Sequence, residues 1–136
     1  MKEKLNSVMI QEIEAVTSLL DALEEQHRCI IKGDIFGMEN CVDTIKKANT
    51  NIAAIEVARR NITQNRAMTE IVEEFRDAEL EENYHKIKAI LQEVMFQKDT
   101  NELLIKQGLS FTNRILNVLN PVREKATYNS SGKINK

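Results

Sequence analysis

The feature that most constrains the fold of this chain is its shortage of residues that interrupt helices. Its 136 residues include four glycines and one proline, whereas average usage would predict about 16 of the two together. Neither residue occurs between Gly37 and Gly108. An all-β fold needs a turn about every 8 to 12 residues, and doubly wound α/β folds use glycine in their phosphate-binding turns. The sequence therefore predicts an all-α fold built from long helices.

Composition and charge exclude several classes of protein. Apolar residues make up 42% and charged residues 29% of the chain, which is typical of a soluble globular or coiled protein rather than a disordered one. A net charge of −2 does not suggest nucleic acid or an anionic membrane surface as a partner. No apolar run is long enough for a membrane span or a signal peptide. Cys29 and Cys41 lack metal-site spacing and are expected to be small buried side chains in a reducing cytoplasm.

Two heptad-like segments on either side of a short turn predict an antiparallel helical hairpin. The first runs from about Lys4 to Lys32, and the second from Ile35 to between Arg60 and Asn65. Between them, Gly33 is suited to a left-handed C-cap and Asp34 to an N-cap. The predicted core positions are Asn6, Met9, Ile13, Val16, Leu20, Leu23, His27 and Ile30, then Met38, Cys41 with Val42, Ile45, Ala48, Ile52, Ile55, Arg59 and Ile62.

The hairpin is followed by a polar stretch, residues 61–69, which has few strong helix formers and is predicted to be a break or a frayed helix end. The stretch from Glu70 to Glu82 then carries seven acidic residues and one arginine. Because acidic side chains stabilise the N-terminus of a helix, we interpret this stretch as a solvated face near a helix start. An acidic docking patch is the alternative.

A third long helix is predicted from about Leu80 to Leu119, and Pro121 ends it. Its stripe is Tyr84, Ile87, Leu91, Val94, Lys98, Ile105, Leu109, Thr112, Leu116 and Leu119. A second apolar cluster lies beside the end of that stripe and consists of Leu104, Phe111, Ile115 and Val118. Gly108 between them is either a close-packing point or a soft spot in the helix.

The two apolar clusters at the end of this helix cover more surface than one contact needs. At about 100° per residue, the two clusters together cover about 180° of the helix circumference. The apolar stripe of a typical surface helix covers a little over 100°. We expect one face to meet the first two helices. The other face needs a partner, which is either a second copy of the chain or an amphipathic helix of a client protein.

The last residues have a different composition from the helices. Residues 121–136 are mostly charged, Ser, Asn or Gly, with Tyr128 as their one aromatic side chain. Such a segment does not bury enough apolar surface to order itself. The sequence thus predicts a helical domain over 1–120 and a flexible C-terminal tail over 121–136.

Candidate catalytic or metal-binding residues are few. Glu24-x-x-His27 and Glu82-x-x-His85 form half of the ligand set of a di-iron carboxylate site in a four-helix bundle. The other half, an inward glutamate from each of two further helices, has no clear source, because Glu39 and Glu56 lie off or beside the apolar stripe. Cys29 and His27 are two residues apart and do not face each other on a helix. We therefore predict no enzyme, no cofactor and no metal site, and keep the di-iron bundle as an alternative.

Motifs spread over nearly the whole chain resemble those of the FlgN-type flagellar export chaperones. The first half resembles the family in Leu19-Leu20-x-x-Leu23-Glu24-Glu25, Lys32-Gly33-Asp34, Ile45-Lys46-Lys47 and Ile55-Glu56-x-x-Arg59-Arg60. The second half resembles it in Asn101-Glu102-Leu103-Leu104, Leu109-Ser110-Phe111, Ile115-Leu116, Leu119 and Thr127-Tyr128-x-x-x-Gly132.

The resemblance implies a small cytoplasmic bacterial chaperone that binds without turnover. Such proteins hold the C-terminal amphipathic segment of hook–filament junction proteins, the hook-associated proteins, and deliver it to the membrane protein of the export gate. It implies that Leu104, Phe111, Ile115 and Val118 bind the client and that Tyr128 docks at the gate. The competing interpretation is a structural coiled-coil protein in which the spare face only forms a homodimer.

Overall fold

The computed structural model describes residues 1–119, and this part of the chain is helical apart from short turns. Helix α1 spans Lys2–Lys32, α2 spans Ile35–Thr63, α3 spans Met68–Phe75 and α4 spans Ala78–Leu119. The predicted all-α class and the bounds of the three long helices are confirmed. The short α3 was not predicted as a separate helix. Residues 120–136, including the predicted tail with Tyr128, lie outside the described residues.

The turn between α1 and α2 forms as the sequence predicts. Gly33 adopts a left-handed conformation with φ of 70°, and the carboxylate of Asp34 accepts a hydrogen bond from the Gly37 amide at 2.9 Å. Gly37 is closely packed, because a Cβ on it would lie 2.5 Å from the Asp34 carboxylate and 2.6 Å from the Cys29 sulfur, so that the capping carboxylate or the thiol would have to move. Cys29 and Cys41 are buried, as predicted. The two-residue turn makes α1 and α2 an antiparallel hairpin.

The predicted break after α2 is also present. Gln64 and Asn65 both have positive φ, at 55° and 64°, so the backbone leaves the helix there. Helix α3 then places Ile71 fully inside the core, while Glu70, Glu73 and Glu74 on its other side are exposed. These acids form the solvated face that we expected, but on a short helix that closes one end of the bundle.

Helix α1 lies at the centre of the bundle and contacts both α2 and α4. Side chains of all four helices meet in one core cluster: Leu5, Val8, Met9, Ala15, Ile55, Ile71, Leu80 and Ile87. A second cluster further along consists of Val16, Leu19, Leu23 and Val94. Asn6 bonds to Asn83 and Leu23 to Asn101, so α4 runs parallel to α1. Helices α1, α2 and α4 thus form a coiled-coil-like three-helix bundle.

The face that α4 turns to the core differs from the predicted stripe. Leu91 is 39% exposed and Lys98 is exposed as well, although both were predicted to face the core. The actual seam repeats every three or four residues through Leu80, Asn83, Ile87, Ile90, Val94, Gln97 and Asn101. The prediction missed this seam because three of its members are polar, and only their partners on α1 make them suitable for the interior.

The chain divides into two compact units, residues 1–101 and 102–136. The first contains α1, α2, α3 and α4 as far as Asn101, together with both core clusters. Of the second, the structure describes residues 102–119, which form the C-terminal part of α4.

Candidate functional site

The residues predicted to bind a client lie on the C-terminal part of α4. Phe111 is 59% exposed, Ile115 40% and Val118 80%, while Leu104 is half-buried. Their spacing of three, four and seven residues puts them on one face of the helix. This face carries a large aromatic ring and branched aliphatic side chains in contact with water, which is unfavourable for an isolated chain.

The neighbouring cluster on the same helix is exposed too. Leu109 is 61%, Leu116 37% and Leu119 75% exposed, and Thr112 is exposed. The expectation that the single chain buries this face is therefore wrong for these residues, and Ile105 alone is half-buried. Both arcs of the helix face water, so the surface available for a partner is wider than the four predicted residues.

Gly108 sits within this surface and does not pack closely against anything. A Cβ added there would meet no heavy atom within 4 Å, so nothing in residues 1–119 packs closely against it. The Thr112 hydroxyl donates a hydrogen bond to the Gly108 carbonyl at 2.9 Å, a bond that often accompanies local bending of a helix. The explanation of Gly108 as a soft spot stays a prediction.

His27, one half of a predicted metal-binding pair, instead belongs to a polar cluster inside the bundle. Its Nδ1 lies 2.9 Å from Gln97 Nε2 and 3.3 Å from Asn101 Oδ1. The Asn101 amide nitrogen donates to the Leu23 carbonyl at 2.8 Å and to Gln26 Oε1 at 2.9 Å. This cluster is the polar interruption of an apolar seam that sets helix register in coiled coils.

The two Glu/His pairs of the di-iron alternative do not come together. His85 is exposed and lies 3.8 Å from Glu81 on its own helix, whereas His27 contacts Asn101, sixteen residues further along α4. That separation is about 24 Å along the helix axis, far beyond what one metal centre bridges. Within residues 1–119, no three His, Cys, Asp or Glu side chains are placed to hold a metal ion. The di-iron alternative is wrong.

Sequence reasoning missed two functional features of α4, the polar seam and the extent of its exposed surface. The seam was detectable as the seven-residue spacing of Leu80, Ile87, Val94 and Asn101. The predicted gate-docking residue, Tyr128, lies outside the described part of the chain, so its role stays a prediction. In the described part, no helix is both long and apolar enough to cross a membrane.

A comparison with protein families identifies the chain. The family model described as FlgN protein matches residues 1–136, the whole length given. No curated protein and no solved structure matches significantly. Because the family match covers the entire chain, this protein belongs to the FlgN family of flagellar export chaperones, whose members are not enzymes.

Proposed function

We propose that this protein acts in the bacterial cytoplasm and binds the C-terminal amphipathic segment of hook-associated proteins, the hook–filament junction proteins, on the exposed surface of α4. The observation that supports this most directly is the exposure of Phe111, Ile115 and Val118 along one helical face. An amphipathic client helix would cover this face by inserting its own apolar side chains at matching three-and-four spacing. Coverage would prevent the client from associating prematurely.

The experiment is a co-purification of the full chain with a junction protein. The double substitution Phe111→Asp and Ile115→Asp places two charges on the face and is expected to abolish binding, since neither charge would be paired in the complex. Circular dichroism should stay unchanged, because both side chains are exposed. The matched control is Ser110→Asp with Asn113→Asp, which adds the same charge on the polar side of the same helical turns and should bind normally.

Retained binding by the Phe111/Ile115 variant would place the client surface elsewhere. Sedimentation separates the competing structural interpretation. A one-to-one complex with the junction protein supports the chaperone, whereas a tight homodimer that ignores the junction protein supports a structural coiled coil.

We further propose that residues 121–136 present Tyr128 to the membrane protein of the export gate. The support is compositional, since Tyr128 is the one aromatic residue in a polar segment and aromatic side chains often anchor short binding motifs. Tyr128→Ala should keep client binding and weaken capture by the immobilised soluble domain of the gate protein. Ser130→Ala, two residues away, serves as the control and should be captured normally. Equal capture of all three forms would rule out this role for Tyr128.

A further inference from the structure

A groove of about 490 Å³ lies between α1 and α4 in the unit formed by residues 1–101. Its apolar lining includes Leu20 of α1 together with Ala89 and Phe96 of α4. Its polar lining includes Glu24 of α1 and Glu93 of α4. The groove is on the outside of the contact that joins the two helices through Leu23 and Val94. Its lining shares no residue with the surface of residues 102–119 on which we place the client.

The apolar part of this groove lacks a partner in the described chain. Leu20 is partly buried against the second core cluster below it, but the Phe96 ring is 73% exposed. A phenyl ring in that position contributes little to the bundle core. Exposed aromatic rings beside aliphatic side chains are typical of surfaces that bind other proteins.

The two charged residues that line the groove are both acidic. Glu24 and Glu93 stand on opposite helices, and the lining contains no lysine or arginine. Neither carboxylate takes part in the ion pairs found within residues 1–119. Arg28, one turn after Glu24, is held mainly by Glu25 at 2.6 Å, and the charge of Glu24 attracts it more weakly. A partner with cationic side chains would therefore meet Glu93 and, next to Arg28, Glu24, neither of which is held in an ion pair within residues 1–119.

We infer that this groove docks a basic amphipathic helix of another protein, a partner distinct from the export client. A helix fits the place because α1, α2 and α4 are already packed side by side, and a fourth helix over Leu20 and Phe96 would complete a four-helix bundle. The lining runs from Ala89 to Gln97, about 12 Å along α4. The partner thus needs apolar side chains over two turns and a lysine or arginine on each flank.

The test uses fluorescence anisotropy with the full chain and two synthetic peptides. The first is a labelled 18-residue helical peptide of leucine and lysine with one apolar face. The second has glutamate in place of every lysine. The lysine peptide should bind at least about tenfold more tightly than the glutamate peptide, because only the first complements Glu24 and Glu93. Equal affinity for both peptides would overturn the inference.

Substitutions then locate the binding. Phe96→Ala should weaken the lysine peptide about tenfold, as expected for loss of an aromatic anchor. The charge reversal Glu24→Lys with Glu93→Lys should abolish that binding and allow the glutamate peptide to bind. The matched control, Glu14→Lys with Asp43→Lys, changes the net charge equally at exposed sites outside the groove and should leave both affinities unchanged. Loss of binding in this control would mean non-specific attraction and would overturn the inference.

Two further measurements separate the groove from the other candidate surfaces. The Phe111→Asp/Ile115→Asp variant should bind the lysine peptide normally, and loss of peptide binding there would place the peptide on residues 102–119 instead. Sedimentation equilibrium tests a second copy of the chain as the occupant. A dimer of the unmodified chain that dissociates on Phe96→Ala would show that the groove is covered by self-association, which would contradict a basic partner helix.

Discussion

At the scale of single residues, the group in residues 1–119 with the largest pKa shift is the buried side-chain carboxyl of Glu12 on α1. Its Oε2 lies 3.5 Å from Arg59 Nε and accepts no hydrogen bond. Glu56 on α2 is the better partner of Arg59, at 2.7 Å. The pKa of Glu12 is raised to about 7, mainly by burial and then by the hydrogen bond and negative charge of Glu56. The positive charge of Arg59 acts in the opposite direction and lowers it. Arg59 therefore contacts two acidic side chains. Between its ordinary pKa of 4.5 and its raised pKa of about 7, Glu12 keeps a proton that a solvated glutamate would lose.

We predict that the stability of this protein falls between about pH 5 and pH 7. In that range the folded chain holds a proton on Glu12, whereas the unfolded chain releases it near 4.5, the ordinary pKa of a solvated glutamate side chain. Unfolding thus releases a proton, and the free energy of unfolding decreases as the pH rises through this window, then levels off above the folded pKa. The expected loss is about 2 kcal/mol, measured by urea unfolding at four pH values.

Glu12→Gln identifies the source of this pH dependence. The amide keeps the size of the side chain and carries no charge, so the variant should lose much less stability than the unmodified chain over the same pH range. Glu14→Gln, at an exposed position on the same helix, is the control and should follow the unmodified chain. An unchanged slope in Glu12→Gln would mean that another group is responsible.

At the scale of elements, the position of α4 along α1 depends on polar contacts as well as on apolar ones. Asn101 is 1% exposed, and its amide nitrogen donates to the Leu23 carbonyl and to Gln26. At the other end of the bundle, Asp77 accepts hydrogen bonds from Asn6 at 3.1 Å and from the Leu80 amide at 3.1 Å. The hydrogen bond from Asn6 is the largest cause, and that from the Leu80 amide the second, of a lowered pKa of Asp77. Both ends of the α1–α4 contact are thus held by specific hydrogen bonds.

Asn101→Asp is expected to destabilise the fold by about 2 kcal/mol. The substitution keeps the shape of the side chain but replaces the donating nitrogen with an oxygen that faces the Leu23 carbonyl. Thermal and urea unfolding measure the effect. Asn113→Asp makes the same chemical change at an exposed site on the same helix and should change the stability little. Similar losses in the two variants would mean that the Asn101 contacts do not hold α4 in place.

At the scale of the whole molecule, stability and client binding are expected to reside in different parts of the chain. Both core clusters lie within residues 1–101, whereas Phe111, Ile115 and Val118 lie beyond them and are exposed. Exposed side chains contribute little to the free energy of folding. The domain boundary at residue 120 remains a prediction. A truncation earlier in the chain tests how many residues of α4 are required for folding.

A chain truncated after Gly108 should fold and unfold cooperatively, with a thermal midpoint within a few degrees of that of the full chain. It keeps Asn101 and two further turns of helix, so that fraying does not reach the polar cluster. It should no longer co-purify with a junction protein, because Phe111 and Ile115 are removed. A loss of cooperative unfolding, seen by circular dichroism, would show that residues 109–136 contribute to the fold.

Much of the molecule was predictable from local signals. The scarcity of glycine and proline determined long helices, Gly33 and Asp34 determined the turn, and the excess apolar arc identified Phe111 and Ile115 as a candidate surface. Each of these depends on residues close together in the sequence, where helix geometry alone relates them. The same reasoning wrongly placed Leu91 in the core. The spacing of a leucine along a helix does not show which face of that helix packs against the other helices.

The tertiary structure decided what depends on contacts between distant segments. Asn101 is suited to the interior because the Leu23 carbonyl, 78 residues earlier in the chain, accepts its hydrogen bond. Glu12 is buried next to Glu56 and Arg59 because the hairpin brings α2 over α1, and His27 pairs with Gln97 rather than with a metal because α4 packs against α1. A polar side chain in a core is stable only when its partners surround it. The sequence alone determined the three long helices and the turn between the first two, and only the packed bundle decided which face of α4 enters the core and which polar residues that face contains.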